Sequence, residues 1–499
     1  MAKEDKQFYS DLRKKSSEFE TREEYLNHEL KIMSFRRWGV HLPFRDYSIE
    51  LEDLIPAIAA TIGKVVMVAA CVSAFAYAPG FDLYNLPEAD KLAFIAENVR
   101  YELIIAGLLF VILFSAIINP NANLAGTHGP MIPLISVIAA AGGHPLALGI
   151  MVGVFGLILG LTKGGSKLMT LTGVGVRGGL LLYLGATGLF KFIGKLDTWA
   201  TGLSDDGSTR FIFLAVIGAT LVVYTYLAKV NKRWLAIPLC SGLAGLVALL
   251  CGADDFAFKS GPGLPEFSPW YWWGENSGWH MGWPGLEHFL AVMPFALLAV
   301  AMWSPDYLGH RVFQEMNYPK EAKGVLMDVD DTMIGASIRQ GIGSFLGGGN
   351  LASSWGTYMI PAAIAKRPIP GGAMLTGILC IVTALLGYPM DVAMWSPVLI
   401  IALVVGVFLP LLEAGMQMVN KQQDSLSAGT CIFACAIVNP VFGWAITMLL
   451  DNLGLIGDTE RAKDLSLADK LIIPGITFLV CVGSMAAVGL IPGIPALVG

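Results

Sequence analysis

Lys64 stands about eleven residues into an apolar run that begins near Asp53. An amine at that depth either pairs with a buried carboxylate or holds an anion, because burying it alone is expensive. Asp306 follows Pro305 at the end of another apolar run, and His310 lies four residues on. On position alone this carboxyl reads equally as an inner-loop acid. His310 can orient it if the helix continues for a turn, or simply begin that loop.

Two further segments share wording. Asn123-Leu124-Ala125-Gly126-Thr127-His128-Gly129-Pro130-Met131-Ile132-Pro133 is echoed 227 residues later by Asn350-Leu351-Ala352-Ser353-Ser354-Trp355-Gly356-Thr357-Tyr358-Met359-Ile360-Pro361. Each copy precedes an apolar stretch too short to span a bilayer. Glycine and small polar residues there unwind the chain, and lipid cannot satisfy the freed backbone groups, so such segments line a cavity or a protein interior. The short helix that follows presents unpaired N–H groups and partial positive charge. Paired breaks in two halves of a chain mark a transporter's central site; the plain alternative is two unrelated Gly-rich turns. The residues that would meet a solute are Lys64, Thr127, His128, Gly129, Ser353, Ser354, Gly356 and Thr357. Arg339 is expected to pair with Asp328, Asp330 or Asp331 as a gate or a structural clamp.

Other chemistries lack their residues. Gly173-x-Gly175-x-x-Gly178 matches a dinucleotide pattern but follows no strand, and reads as close helix packing. No P-loop, HExxH or nucleophile elbow occurs, and none of the seven cysteines forms a CxxC pair. No metal, cofactor or disulfide framework is expected, nor an enzyme.

The elements that hold these residues must lie in lipid. Of 499 residues, 55% are hydrophobic and only 14% charged, with mean hydropathy +0.62; soluble domains carry about 25% charged residues. Net charge is −6 with no basic stripe, so nucleic acid is not an expected partner. Spanning runs begin near Asp53, Tyr101, Leu146, Val174, Phe211, Leu235, Phe289, Gly371, Trp395, Ala428 and Leu471. Three shorter ones follow Gly129, Asp331 and Gly356, and look like half-helices or Gly-interrupted helices. About fourteen segments divide into two sevens, and an odd number per half inverts the second repeat.

The expected organisation is a cytoplasmic segment over 1–50, a first repeat over 51–250, a Trp-rich outer loop over 251–286 and a second repeat over 287–499. The first 50 residues hold ten Lys/Arg and ten Asp/Glu and no signal peptide. They predict short amphipathic helices near the membrane surface, or a partly disordered tail. With the N-terminus in the cytoplasm, 21 Lys/Arg fall inside and nine outside. Phe267 to Pro284 carries six Trp and Tyr residues. It reads as an interfacial aromatic belt, or as a lid or dimer contact.

At the two Asn-Leu-Ala segments the chain resembles the seven-plus-seven inverted-repeat superfamily of uracil and xanthine permeases, sulfate permeases and bicarbonate exchangers. The resemblance covers 53–200 and 289–390 best. Within the superfamily the chain looks most like a bacterial family of inner-membrane proteins, which supplies no substrate. Uracil permeases carry Glu-x-x-Gly-His where this chain has Asp306-Tyr307-Leu308-Gly309-His310, and this resemblance implies that Asp306 faces the cavity and carries a coupling proton, with His310 as its ion-coupling partner. Their Tyr-Gly-Glu-Asn becomes Trp355-Gly356-Thr357-Tyr358, so Thr357 replaces an acid. Sulfate permeases usually add a soluble regulatory domain, which is not expected after Gly499.

The resemblance implies an all-α membrane fold with two half-helices meeting at the midplane. Helices one to four and eight to eleven would form a core, the other six a gate, and the protein a homodimer. The expected function is secondary active transport of a small anion (an inorganic oxyanion, bicarbonate or a small carboxylate) across a bacterial inner membrane, coupled to protons or sodium. A nucleobase:proton symporter and an anion channel are the alternatives.

Overall fold

A chain this apolar must close its backbone hydrogen bonds within helices wherever it meets lipid. The computed structural model describes residues 7–120, 126–349, 352–353, 367 and 369–497, and these fold that way. An N-terminal helix, α1 (Arg22–Ile32), precedes α2 (Leu51–Ala76), α3 (Glu88–Ile118), strand β1 (Gly126–Thr127), the short α4 (Gly129–Ala140), α5 (Pro145–Leu161), α6 (Val174–Thr201), α7 (Ser208–Lys229) and α8 (Arg233–Leu250). The second half runs α9 (Leu286–Asn317), α10 (Val329–Phe345), β2 (Ala352–Ser353), α11 (Ile369–Leu386), α12 (Ser396–Met418), α13 (Gln422–Ile437), α14 (Pro440–Asn452) and α15 (Ala468–Ala487). Among the described residues nine helices are long and apolar enough to cross a membrane. The protein is a multi-pass, all-α membrane protein.

The two halves are inverted copies. β1 and β2 pair antiparallel, Gly126 opposite Ser353 and Thr127 opposite Ala352. Gly126 and Ser353 are also equivalent in the 227-residue repeat. The local two-fold axis of an antiparallel pair thus passes between corresponding residues, so the two copies run through the centre in opposite directions. Helix packing follows the same symmetry: α5 lies against α10 as α11 lies against α3, and α2 lies against α11 as α9 lies against α5. Glycines permit these approaches. A Cβ on Gly107 of α3 would sit 2.8 Å from the Gly377 carbonyl of α11, and one on Gly153 of α5 3.0 Å from the Gly341 nitrogen of α10. Two glycines of the dinucleotide-like pattern act likewise, Gly175 setting α6 against the Asp424 carbonyl of α13 and Gly178 against the Gly415 carbonyl of α12.

Three expectations change. The run from Ala428 is not one span. Pro440 cannot continue a helix, Asn439 caps the next by accepting from the Phe442 N–H (3.0 Å), and α13 and α14 pack together through Gly443. The segment after Asp331 is one uninterrupted helix of 17 residues, started by Asp328 accepting from the Asp331 N–H at 2.9 Å. Third, residues 7–50 are not a tail but pack into the fold. Tyr9, Leu30, Met33, Phe35 and Tyr47 make an apolar cluster with Tyr318, Ala322 and Val325.

Beside that cluster Glu29 is fully buried with Arg367, and accepts from the hydroxyls of Tyr9 and Tyr25. Burial alone would raise its carboxyl, but Arg367 and those hydroxyls outweigh burial and hold it below the ordinary value. The stabilisation is therefore present above the ordinary glutamate pKa of about 4.3 and is lost as pH falls through the lower folded value. In thermal unfolding, Glu29→Gln should lower the midpoint by a constant amount from about pH 5 to 8, with the gap from wild type closing in stronger acid. A gap that grew in acid would contradict this.

Candidate functional site

The first break begins where α3 ends. Asn119 follows its last turn, buried, with a side chain that has no hydrogen-bond partner among the described residues. The chain then reaches β1, and α2 packs against both β1 and the start of α4. Lys64 stands on α2 with only 5% of its surface exposed. Its ammonium makes no hydrogen bond and no ion pair among the described residues. The carboxylate partner of the bland reading is thus not found there, although Glu102 on α3 and Arg339 on α10 are within electrostatic reach.

His128 follows β1, 2% exposed, with neither ring nitrogen bonded among the described residues. Gly129 is next and meets α12. A Cβ there would lie 3.0 Å from both methyls of Val407 and 3.2 Å from the Met67 methyl. Val407 belongs to a widened π-turn, Val404–Phe408, within α12. Such turns often mark functional positions. The first break thus touches the expected gate through a glycine, a contact the sequence did not announce.

The opening of α4 alters the charge expected at the site. Residues Gly129–Leu134 form a 3-10 turn holding Pro130 and Pro133, and only Ile135–Ala140 is α-helical. Prolines have no N–H, and Met131 donates to His128 O (3.0 Å). Few free donors remain, so this terminus supplies less positive charge than an ordinary helix start. Positive charge near the breaks rests on side chains. Lys64 is one and Arg339 another: Arg339 is 1% exposed, with Nη1 3.4 Å from Ser115 Oγ. It does not reach the acids at the head of its helix. Arg37 of the N-terminal segment pairs with Asp328 and Asp331.

The other sequence-derived positions divide. Thr127 and Ser353 lie in the paired strands, with side chains outside the described residues, as is the side chain of Asp306. Ser354, Gly356 and Thr357 lie wholly outside them. His310 is buried on α9, which runs as one helix to Asn317, so 306 and 310 are one turn apart and no loop begins there.

The Trp-rich loop is more than a belt. Trp272 and Trp279 are fully buried, while Trp270 is 77% exposed. Trp279 donates to Gly347 O at 2.8 Å and packs edge-on to Phe75 and Phe94. Gly347 has φ +103°, where a side chain would strain the backbone and strike Trp272. Gly347-Gly348-Gly349 leads directly into Asn350, so the loop pins the entry to the second break. That run of three glycines was the available signal.

These features define a class: a seven-plus-seven inverted-repeat membrane fold whose broken segments meet at the centre. The chain belongs to the DUF3360 family, described as a protein of unknown function, whose model matches residues 2–498. Among solved structures it is similar to the transmembrane domain of the cyanobacterial bicarbonate transporter BicA, at 14% identity, covering 80% of this chain and 95% of that one, with TM-score 0.52. It is also similar to the murine anion transporter Slc26a9 in its inward-facing state, at 13% identity, covering 82% and 68%, with TM-score 0.49. A comparison with curated proteins gave no match.

Proposed function

We propose that the chain is a secondary active transporter of a small anion, working by movement of a core (α2–α5 and α9–α11) against a gate (α6–α8 and α12–α15). The reading is supported above all by Lys64: a buried ammonium with no partner among the described residues, on the helix that packs against β1. An oxyanion or carboxylate would supply the missing hydrogen bonds and countercharge. Arg339 nearby favours the same sign, and His128 and the strand backbones add donors. The repeats are taken as 51–250 and 287–499, in a homodimer of the bacterial inner membrane with the N-terminus cytoplasmic.

A thermal-shift screen of solubilised protein tests the solute class. Bicarbonate, sulfate or a small carboxylate should stabilise it, and Lys64→Ala should lose the effect. Stabilisation by uracil or xanthine alone, undiminished in Lys64→Ala, would contradict the anion reading. The nucleobase:proton symporter remains the second reading, favoured by one observation: α9 runs unbroken through 306–310, so Asp306 and His310 share a face as in the permease motif.

In either reading Asp306 is the coupling acid, with His310 orienting it, and sodium is the other candidate ion. Asp306→Asn should abolish uptake driven by a pH gradient while exchange of solute across the membrane continues. Unchanged pH dependence would remove Asp306 from the mechanism.

A further inference from the structure

Residues 9–50 grip the rest of the chain at several places. Arg367, 2% exposed, takes Glu29 Oε2 at 2.5 Å, Ser48 Oγ at 2.9 Å and Asp53 Oδ1 at 3.3 Å, while its own carbonyl accepts from the Tyr318 hydroxyl at 2.9 Å. Arg37 pairs with Asp328 and Asp331 at the head of α10. His41 bonds Ile117 O at the end of α3, through its backbone N–H (2.9 Å) and through Nδ1 (3.1 Å). Phe35 N donates to Gly324 O at 3.1 Å, and a Cβ on Gly324 would lie 2.9 Å from Met33 O.

On the first repeat the segment holds Ile117, Glu52, which pairs with Arg22, and Asp53, which accepts from the Glu50 N–H at 2.9 Å. On the second it holds Gly324, Asp328, Asp331 and Arg367, and its apolar side chains pack on Tyr318. No hydrogen bond or ion pair from residues 9–50 reaches α6–α8 or α12–α15 among the described residues.

We propose that residues 9–50 are a buckle that fastens the two repeats of the core to each other, and that they move with the core rather than opening as a lid. The motion is that of the transporter reading, on which this part rests. The fastening rests on the contacts alone. A segment that had to leave in each cycle would expose Glu29 and Arg367 and the apolar cluster around Tyr47 each time. One that stays joins two inverted repeats whose strand pairing spans only two residues on each side.

Two experiments on the full chain separate these parts. In the first, Ser34→Cys is combined with Gly324→Cys. A Cβ on Gly324 would lie 3.1 Å from that of Ser34, near the roughly 3.5–4.5 Å of a disulfide. Oxidised protein in liposomes should take up radiolabelled bicarbonate, sulfate or a small carboxylate within about twofold of the reduced form. A loss of tenfold or more that reductant reverses would make the segment a lid. Should the uncross-linked protein move no solute at all, the transporter reading fails, and the second experiment still decides the fastening.

In the second, hydrogen exchange of Glu29→Gln is followed by mass spectrometry. Exchange should speed up about tenfold or more in α1, near Ile117 and over 318–331 together, with α6 and α12 unchanged and Glu29→Asp intermediate. Faster exchange confined to 9–50 would mean that the segment merely rests on the core, and faster exchange everywhere that Glu29 only stabilises the whole fold.

Discussion

Lys64→Met should lower solute uptake by at least about 100-fold, equivalent to roughly 3 kcal/mol of charge-assisted contact, while the purified protein becomes more heat-stable. The two effects have opposite signs for one reason. The ammonium is buried and makes no hydrogen bond among the described residues. Methionine keeps the length and volume and removes the desolvation cost, which should stabilise the protein by about 1–2 kcal/mol. Were Lys64 half of a structural ion pair, the same change would strand a buried carboxylate and destabilise by about 3–5 kcal/mol. Differential scanning fluorimetry beside liposome uptake decides the matter. Falling uptake with a falling midpoint would assign Lys64 to the scaffold.

Gly129→Val should cut uptake at least tenfold, and Val407→Ala should restore much of it. The Gly129 Cβ position already lies 3.0 Å from both Val407 methyls, so a branched side chain overpacks the junction of the first break with α12, at about 1–3 kcal/mol. Removing those two methyls opens the space. Because the contact joins the proposed core to the proposed gate, the pair should show coupling in uptake beyond its coupling in stability, read by a double-mutant cycle. Additive effects on uptake would mean that the two residues do not meet during transport.

Much of the fold was legible because lipid leaves few solutions. Long apolar runs must be helices, and the repeated Asn-Leu-Ala segments located a crossing that pairs Gly126 with Ser353. The exceptions have local causes. Pro440 divides a run whose hydropathy alone predicts one span. The N-terminal segment can look like a disordered tail because its charges are many, yet Glu29, Arg37 and Arg367 find partners more than 290 residues away or more than 330. Such partnerships leave no mark on composition. For the site, Lys64 was readable as a charge in an apolar run. Arg339 was assigned to the acids at the head of its own helix because neighbours in sequence were the only partners in view. Instead its Nη1 lies 3.4 Å from Ser115 Oγ of the other repeat. Trp272 and Trp279 read as belt residues because an aromatic cluster at a membrane edge normally faces lipid; the glycines at 347 and 349 are what let them turn inward.

The central claim is that this chain carries a small anion through a site that depends on Lys64. Its most direct test is uptake of radiolabelled bicarbonate, sulfate and a small carboxylate into liposomes holding the purified protein, with and without an inward proton or sodium gradient. Uptake of at least one of them that saturates, exceeds its gradient-free level and vanishes in Lys64→Met is the expected result. Uptake of none, with uracil or xanthine accumulating instead and unaffected by Lys64→Met, would contradict it.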